Sequence, residues 1–257
     1  MASHPMKRDV IVIGAGLIGT TTAWYLAERG LNVTVLERLE SPGLDTSFAN
    51  GGLLTPSEAD PWNAPGTFGR LLRWLGREDS PLLLRPRALP GMLGWGLKFL
   101  RASRTTPHLR STMATLRLAL YSLSALNELG QQLSLNYDRL NNGTLKIFRD
   151  RKALEHSWEL ADALRHLSLE SRLLNPGEAV GLEPLLESVS KHLVGAIYYP
   201  GDGSGDAYRF TCELQKHALA AGVQFHFNSS VSRIHRQGRR IRALLTEEGE
   251  ISADNYV

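Results

Sequence analysis

Asp9-Val-Ile-Val-Ile-Gly14-Ala-Gly16-Leu-Ile-Gly19 is a short apolar run ending in three glycines spaced G-x-G-x-x-G. A helical pattern follows at once, from about Ile18 to Arg29, and Gly30 stops it. A second apolar run, Val33-Thr-Val-Leu, ends in an acid, Glu37. Strand, glycine turn, helix and acid-tipped strand together make a nucleotide-binding βαβ unit. Gly14 permits the tight turn, Gly16 leaves the backbone bare for a pyrophosphate, and Gly19 lets helix and strand approach closely. The helix start offers unpaired N–H groups and partial positive charge to phosphates. Glu37 stands where a carboxylate can accept hydrogen bonds from a ribose diol, and it would repel a 2′-phosphate. On these residues alone NAD and FAD remain equally open.

The bulk of the chain excludes several other classes. At 257 residues it has ample material for one large or two modest domains. Its one cysteine, Cys212, rules out a disulfide framework and a cysteine-based metal site, and the eight histidines show no ligand spacing, so no metal is expected. No apolar stretch approaches the roughly 20 residues that span a bilayer, and Met1–Arg8 is too polar for a secretory leader. Charge is concentrated in one place. Arg70, Arg73, Arg77, Arg85, Arg87, Lys98, Arg101, Arg104 and Arg110 face only Glu78 and Asp79, and they flank the apolar Leu89–Leu100 segment. That stretch reads either as a helix packed on its domain with arginines in solvent, or as a docking surface for an anionic membrane. No nucleic-acid recognition motif accompanies it.

Further along, residues 40–69 are rich in Gly, Pro, Ser and Asn and read as a long loop. Leu109, Met113, Leu116, Leu120 and Leu123 predict one buried face of a helix over 109–133. A turn at Asn141-Asn-Gly143 precedes a strand at 144–148, and a second helix is expected over 153–167. A short acidic helix near Glu178 and a strand at 196–200 follow. Beyond Asp206 the pattern is a helix at 210–221, a strand at 223–227, and strands at 231–235, 240–245 and 250–257.

The loop after the second strand, Thr46-Ser-Phe-Ala-Asn-Gly-Gly52, combines small residues, hydroxyls and an amide. Together with the glycine loop, Glu37-Arg38, Pro61-Trp-Asn-Ala-Pro-Gly66, Gly143-Thr-Leu-Lys-Ile-Phe148 and the Ser229-Ser-Val231 step, it resembles the FAD-dependent D-amino-acid dehydrogenases. These sit within the wider D-amino-acid oxidase and glycine oxidase group. The resemblance runs in order along essentially the whole chain. It implies FAD, held by Val12, Ile13, Gly14, Ala15, Gly16, Leu17, Ile18 and Gly19 around the pyrophosphate. Glu37 and Arg38 would lie at the adenosine, Ser47, Ala49, Asn50 and Gly51 toward the flavin side, and Val231 at the adenine. It further implies conversion of a D-amino acid to a 2-oxo acid and ammonia, with electrons passed to a quinone-type membrane acceptor. Such an enzyme belongs in the cytoplasm, free or on the cytoplasmic face of the inner membrane. No acid–base constellation stands out, and no catalytic residue is singled out.

The expected fold is α/β: a Rossmann-like FAD-binding domain over 7–60 and 205–257, interrupted by an α+β substrate domain over 61–204. Family members continue past this point, and Ala253–Val257 reads as the opening of a core strand, so the C-terminal part of the fold is expected to be missing. Two alternatives stand beside the dehydrogenase reading. One is a catalytically incompetent fragment that only binds nucleotide or serves as an interaction module; the other is an NAD-dependent dehydrogenase.

Overall fold

The structure is a computed structural model and describes residues 8–74, 76–78, 85, 87 and 89–257, without the side chains of Arg70 and Leu89. Asp79 of the basic stretch, and residues 1–7, therefore lie outside the described residues.

In chain order the strands are β1 (Asp9–Ile13), β2 (Asn32–Leu36), β3 (Leu53–Leu54), β4 (Thr144–Phe148), β5 (Arg172–Leu174), β6 (Gly195–Tyr199) and β7 (Gly203–Ser204). Then come β8 (Gln224–His226), β9 (Arg233–Gln237), β10 (Arg240–Thr246), β11 (Gly249–Ile251) and β12 (Asn255–Tyr256). The α-helices are α1 (Leu17–Glu28), α2 (Thr67–Trp74), α3 (Leu89–Ala102), α4 (Thr105–Leu133), α5 (Arg151–Ala163), α6 (Pro176–Leu182) and α7 (Ala207–Ala220).

Two compact units emerge: Met1–Leu53 with Leu126–Leu140 and Ser204–Val257, and Leu54–Ala125 with Asn141–Gly203. In the first unit a parallel sheet runs in the order β12-β1-β2-β8. The alternating apolar residues of its central strands, Val10, Val12, Val33 and Val35, pack with Ala23 and Trp24 of α1 and with Phe210, Leu214 and Ala218 of α7. Each valine, leucine or phenylalanine among them withdrawn from water contributes about 1.5–3 kcal/mol. A three-stranded antiparallel sheet, β11-β10-β9, completes this unit. Asp206 caps α7 by accepting the Arg209 N–H at 2.9 Å.

The unit boundaries differ from the expected ones at two places: 54–60 clusters with the second unit, and 126–140 with the first rather than with the insertion. Leu129 and Tyr137 are buried in the first core, with Leu126 and Leu133 packed against it, and the Tyr137 ring meets Phe210 edge-on at 5.2 Å. One helix, α4, thus serves two cores, because its periodicity runs through the boundary unbroken. Its expected buried face holds at Leu116, while Leu109 is exposed. The strand expected over 250–257 is two strands. β11 pairs antiparallel with β10, and β12 pairs parallel with β1. Between them the Tyr256 hydroxyl accepts the Ala253 N–H, and Asp254 accepts the Asp9 N–H at 3.0 Å.

The second unit is α+β. β6 lies between β4 and β5 in an antiparallel sheet, and Phe148, Ile197 and Tyr199 bury against Leu116, Leu154 and Leu164. The helix expected over 153–167 ends at Ala163 and finishes as a 3₁₀ turn, with Ser168 left-handed at φ 67°. α6 begins with a reciprocal cap: Asn175 Oδ1 accepts the Glu178 N–H at 3.0 Å, and Glu178 Oε2 accepts the Asn175 N–H at 2.7 Å. Asn175→Ala removes that cap, so it is expected to cost about 1 kcal/mol and lower the melting temperature by about 2–4 °C, read by circular dichroism.

Candidate cofactor site

The glycine loop joins β1 to α1 as its spacing requires. Gly14 has φ +98°, a conformation that a side chain would strain. A Cβ at Gly19 would stand 1.8 Å from the Gly14 carbonyl oxygen, so helix and strand meet there backbone to backbone. Gly16 is different. A Cβ there would meet only Ser47 Oγ, at 3.6 Å, so nothing in the protein's own packing demands glycine. What glycine leaves at that point is bare backbone at the helix start.

Four of the predicted residues are tied together around this loop. Glu37, at the end of β2, accepts the Ala15 N–H on Oε2 at 2.6 Å and the Leu39 N–H on Oε1 at 2.9 Å. A carboxylate has about four lone-pair positions, so two remain for a diol. Ser47 Oγ accepts the Leu17 N–H at 3.1 Å, which pins the loop after β2 onto the first turn of α1. The Ile18 and Gly19 amides, the other donors of that turn, find no acceptor among the described residues. Val12 and Ala15 are buried beneath the loop, while Ile13, Leu17 and Ile18 line it from the exposed side.

The remaining predicted residues lie further out. Arg38 forms an exposed ion pair with Asp45. Ala49, Asn50 and Gly51 sit exposed on the next turn, where Asn50 Oδ1 accepts the Gly52 N–H at 2.8 Å. No hydrogen bond links these three to the glycine loop among the described residues. Val231 packs beside Ile11, Leu36 and Leu244, just beyond Ser229, whose N–H donates to the Glu37 carbonyl at 2.8 Å. The Ser229-Ser-Val231 step is thus brought alongside Glu37.

Sequence reading missed three supports of this site. Thr20, fully buried, donates from Oγ1 to the Ala15 carbonyl at 3.2 Å. The Gly43 N–H donates to that same carbonyl at 3.0 Å. Gly52, at φ +59°, lies where a Cβ would come within 2.7 Å of the Gly205 carbonyl. The glycine doublet at 51–52 was the visible signal for the last; the first two carry none. No group of three or more His, Cys, Asp or Glu side chains is placed to hold a metal among the described residues.

A bare helix start facing open space, a carboxylate with spare acceptors at the end of β2, and a serine pinning the following loop define a dinucleotide-binding oxidoreductase fold. The chain belongs to the DAO family of FAD-dependent oxidoreductases, whose profile matches residues 9–257. It is 44% identical over 250 residues to a D-amino acid dehydrogenase of Paramagnetospirillum magneticum, covering 96% of this chain and 59% of that one. It is 42% identical to a D-amino acid dehydrogenase of Dechloromonas aromatica, covering 96% and 60%. The chain therefore spans about three-fifths of the length of these relatives. Among solved structures it shares its fold with L-proline dehydrogenase from P. horikoshii, with TM-score 0.69, 19% identity, and 96% and 51% of the two chains covered. It likewise matches glycine oxidase from Geobacillus kaustophilus, with TM-score 0.68, 21% identity, and 97% and 54% covered. The cofactor of the family is FAD, which leaves the NAD-dependent alternative without support.

Glu37→Gln keeps the shape of the side chain but turns one acceptor into a donor, facing either the Ala15 or the Leu39 N–H. FAD affinity is expected to fall about tenfold, the value of one hydrogen bond to a charged group, in a fluorescence titration of flavin-free protein.

Proposed function

We propose that the protein of this chain oxidises D-amino acids: substrate, water and an oxidised acceptor give a 2-oxo acid, ammonia and a reduced acceptor. The carrying observation is the 44% identity to a D-amino acid dehydrogenase across 96% of the chain. Bound FAD supplies the two-electron acceptor for this chemistry. The chain's own residues bind and orient it. The open amides at the start of α1 receive the pyrophosphate charge, Glu37 takes the ribose diol, and Ser47 fixes the loop that leads toward the flavin side. Electrons then pass to a quinone-type acceptor in the membrane, a reading that rests on the family resemblance.

A second reading is a nucleotide-binding module without turnover. The exposed apolar residues around the glycine loop, Ile18 at 80% and Phe48 at 60%, favour it, since they form an uncovered rim beside the site. One experiment separates the two. The purified chain is examined for bound flavin by its visible spectrum, and D-amino acids are then added anaerobically. Bleaching supports the dehydrogenase; flavin that does not bleach supports the binding module; a colourless protein that takes up no FAD would sink both.

A further inference from the structure

α5 ends at Ala163, passes through the 3₁₀ turn Arg165–Leu167, and reverses at Ser168 toward β5. Along this reversal lies a cleft of about 360 Å³, a size that admits a small molecule rather than a single water. Arg165, Ser168, Leu169, Glu170, Ser171 and Arg172 line it. All six belong to the second unit, and none of them takes part in the cofactor site.

The fold employs only one of the two arginines. Arg165 donates from Nη2 to the Ser171 carbonyl at 3.2 Å, stands 3.4 Å from Asp162 Oδ1 through Nε, and lies over the Trp158 ring at 5.0 Å. It clamps the two arms of the reversal together. Arg172 has no ion pair or side-chain hydrogen bond among the described residues, and neither has Glu170. Two opposite charges thus line one cleft without closing on each other. Between them in sequence, Ser171 is 8% exposed, and its hydroxyl finds no partner among the described residues. A buried hydroxyl left unpaired is costly, and this one forfeits no bond by turning to a ligand.

We propose that this cleft binds a small zwitterion, an α-amino acid. The carboxylate pairs with the Arg172 guanidinium, whose fork of N–H donors matches its two oxygens, and the ammonium pairs with Glu170. The Ser171 hydroxyl turns to donate to the carboxylate, and the buried Leu169 gives the ligand's side chain an apolar wall. A simple anion would meet Arg172 but also the Glu170 carboxylate, and a simple amine would meet the arginines; like charges brought together cost affinity. A ligand with both signs on neighbouring groups satisfies both. Binding here needs no flavin, so the site stands apart from the redox reading.

The test is a saturation-transfer NMR titration of the full chain. L-alanine serves as the zwitterion, propionate as its carboxylate alone, ethylamine as its amine alone, and inorganic phosphate as a competing anion. Saturable binding of L-alanine is expected, with Kd on the order of 1 mM for so few ligand atoms. Propionate and ethylamine should bind at least about tenfold more weakly, since each forgoes one charge-assisted contact, and phosphate should compete poorly. Arg172→Ala should weaken L-alanine at least about tenfold. Glu170→Gln should weaken L-alanine but not propionate, a split that a merely structural role would not produce. Both positions are exposed, so the circular dichroism of the variants should match the parent. The proposal is overturned if L-alanine shows no saturable binding, if propionate or phosphate binds as tightly, or if both variants bind L-alanine as the parent does. Flavin bleaching by D-amino acids should be the same in Arg172→Ala as in the parent. Its loss together with L-alanine binding would make the cleft part of the redox site and would equally overturn the proposal.

Discussion

Gly19→Ala is expected to yield protein with little or no bound flavin and a markedly lower melting temperature. The added Cβ would stand 1.8 Å from the Gly14 carbonyl oxygen, 3.0 Å from its carbon and 3.5 Å from Val12 Cγ1. The first two are backbone atoms, so no side-chain rotation relieves the overlap. Either α1 lifts away from β1 or the turn at Gly14, already at φ +98°, deforms. The first disturbs the core between Val12 and Ala23; the second shifts the Thr20 and Ala15 hydrogen bonds that fix the loop. Overpacking of this severity costs about 3 kcal/mol or more. Gly16→Ala is the internal control. Its Cβ meets only Ser47 Oγ, at 3.6 Å, so the fold should melt as the parent does while flavin binding falls, because the new methyl occupies bare backbone where the pyrophosphate would rest. Calorimetry and the visible spectrum of both variants decide the matter. A Gly19→Ala protein with parental melting and full flavin content would show that helix and strand do not meet as described.

The β1–α1–β2 unit was legible in the sequence because its logic is local. Short apolar strand runs, a glycine turn and a stopping glycine lie within 29 consecutive residues, Asp9 to Glu37, and each constrains its neighbours. β4 and β6 were legible for the same reason. What escaped depends on contacts between residues far apart in the chain. The leucine spacing of α4 predicts a buried face but not which core each turn enters, so the change at Leu126 has no local signature. Leu109 fits the apolar spacing and is nevertheless exposed, since periodicity states which side faces inward only where a partner element exists. At the site, Glu37 was found from its place at a strand end, whereas Thr20 and Gly43 converge on the Ala15 carbonyl from two places further along the chain, one in α1 and one beyond β2. The exposure of α3 is a similar case. Its composition does not by itself say that Leu93, Trp95 and Leu97 stand exposed, because that depends on which elements of the fold pack against the helix.

Asp202→Ala should be the most destabilising polar substitution in the second unit. Asp202 is 3% exposed and follows β6 in Tyr199-Pro-Gly-Asp-Gly, a turn with nothing in its sequence to mark a buried acid. Its carboxylate accepts the Ser57 N–H at 3.3 Å, the Ser57 hydroxyl at 2.5 Å and the Thr144 hydroxyl at 2.5 Å. The partners lie 145 and 58 residues away, so one side chain holds the turn at 56–58 and the start of β4 against the end of β6. Removing it leaves three donors without their acceptor in a partly buried setting, and the expected loss is about 2–3 kcal/mol by chemical denaturation. Asp202→Asn retains one acceptor oxygen, and the hydroxyls can turn to meet its amide, so about half that loss is expected. Ser57→Ala and Thr144→Val, alone and combined with Asp202→Ala, should be strongly non-additive, because each removes a bond the others share. Tyr199 offers an independent readout. Burial, with Glu58, Asp202 and Asp60 nearby, pushes its phenol from 10.0 up to about 12. Because the folded value lies above the unfolded one, the neutral phenol contributes stability in full below about pH 10, and that contribution is lost as pH rises toward 12. Replacing Asp202 with Asn removes one of the charges holding the phenol up, so its ionisation, followed by phenolate absorbance, should move to lower pH. If Asp202→Ala melts with the parent and the phenolate titration does not move, the carboxylate is not the brace that its three hydrogen bonds describe.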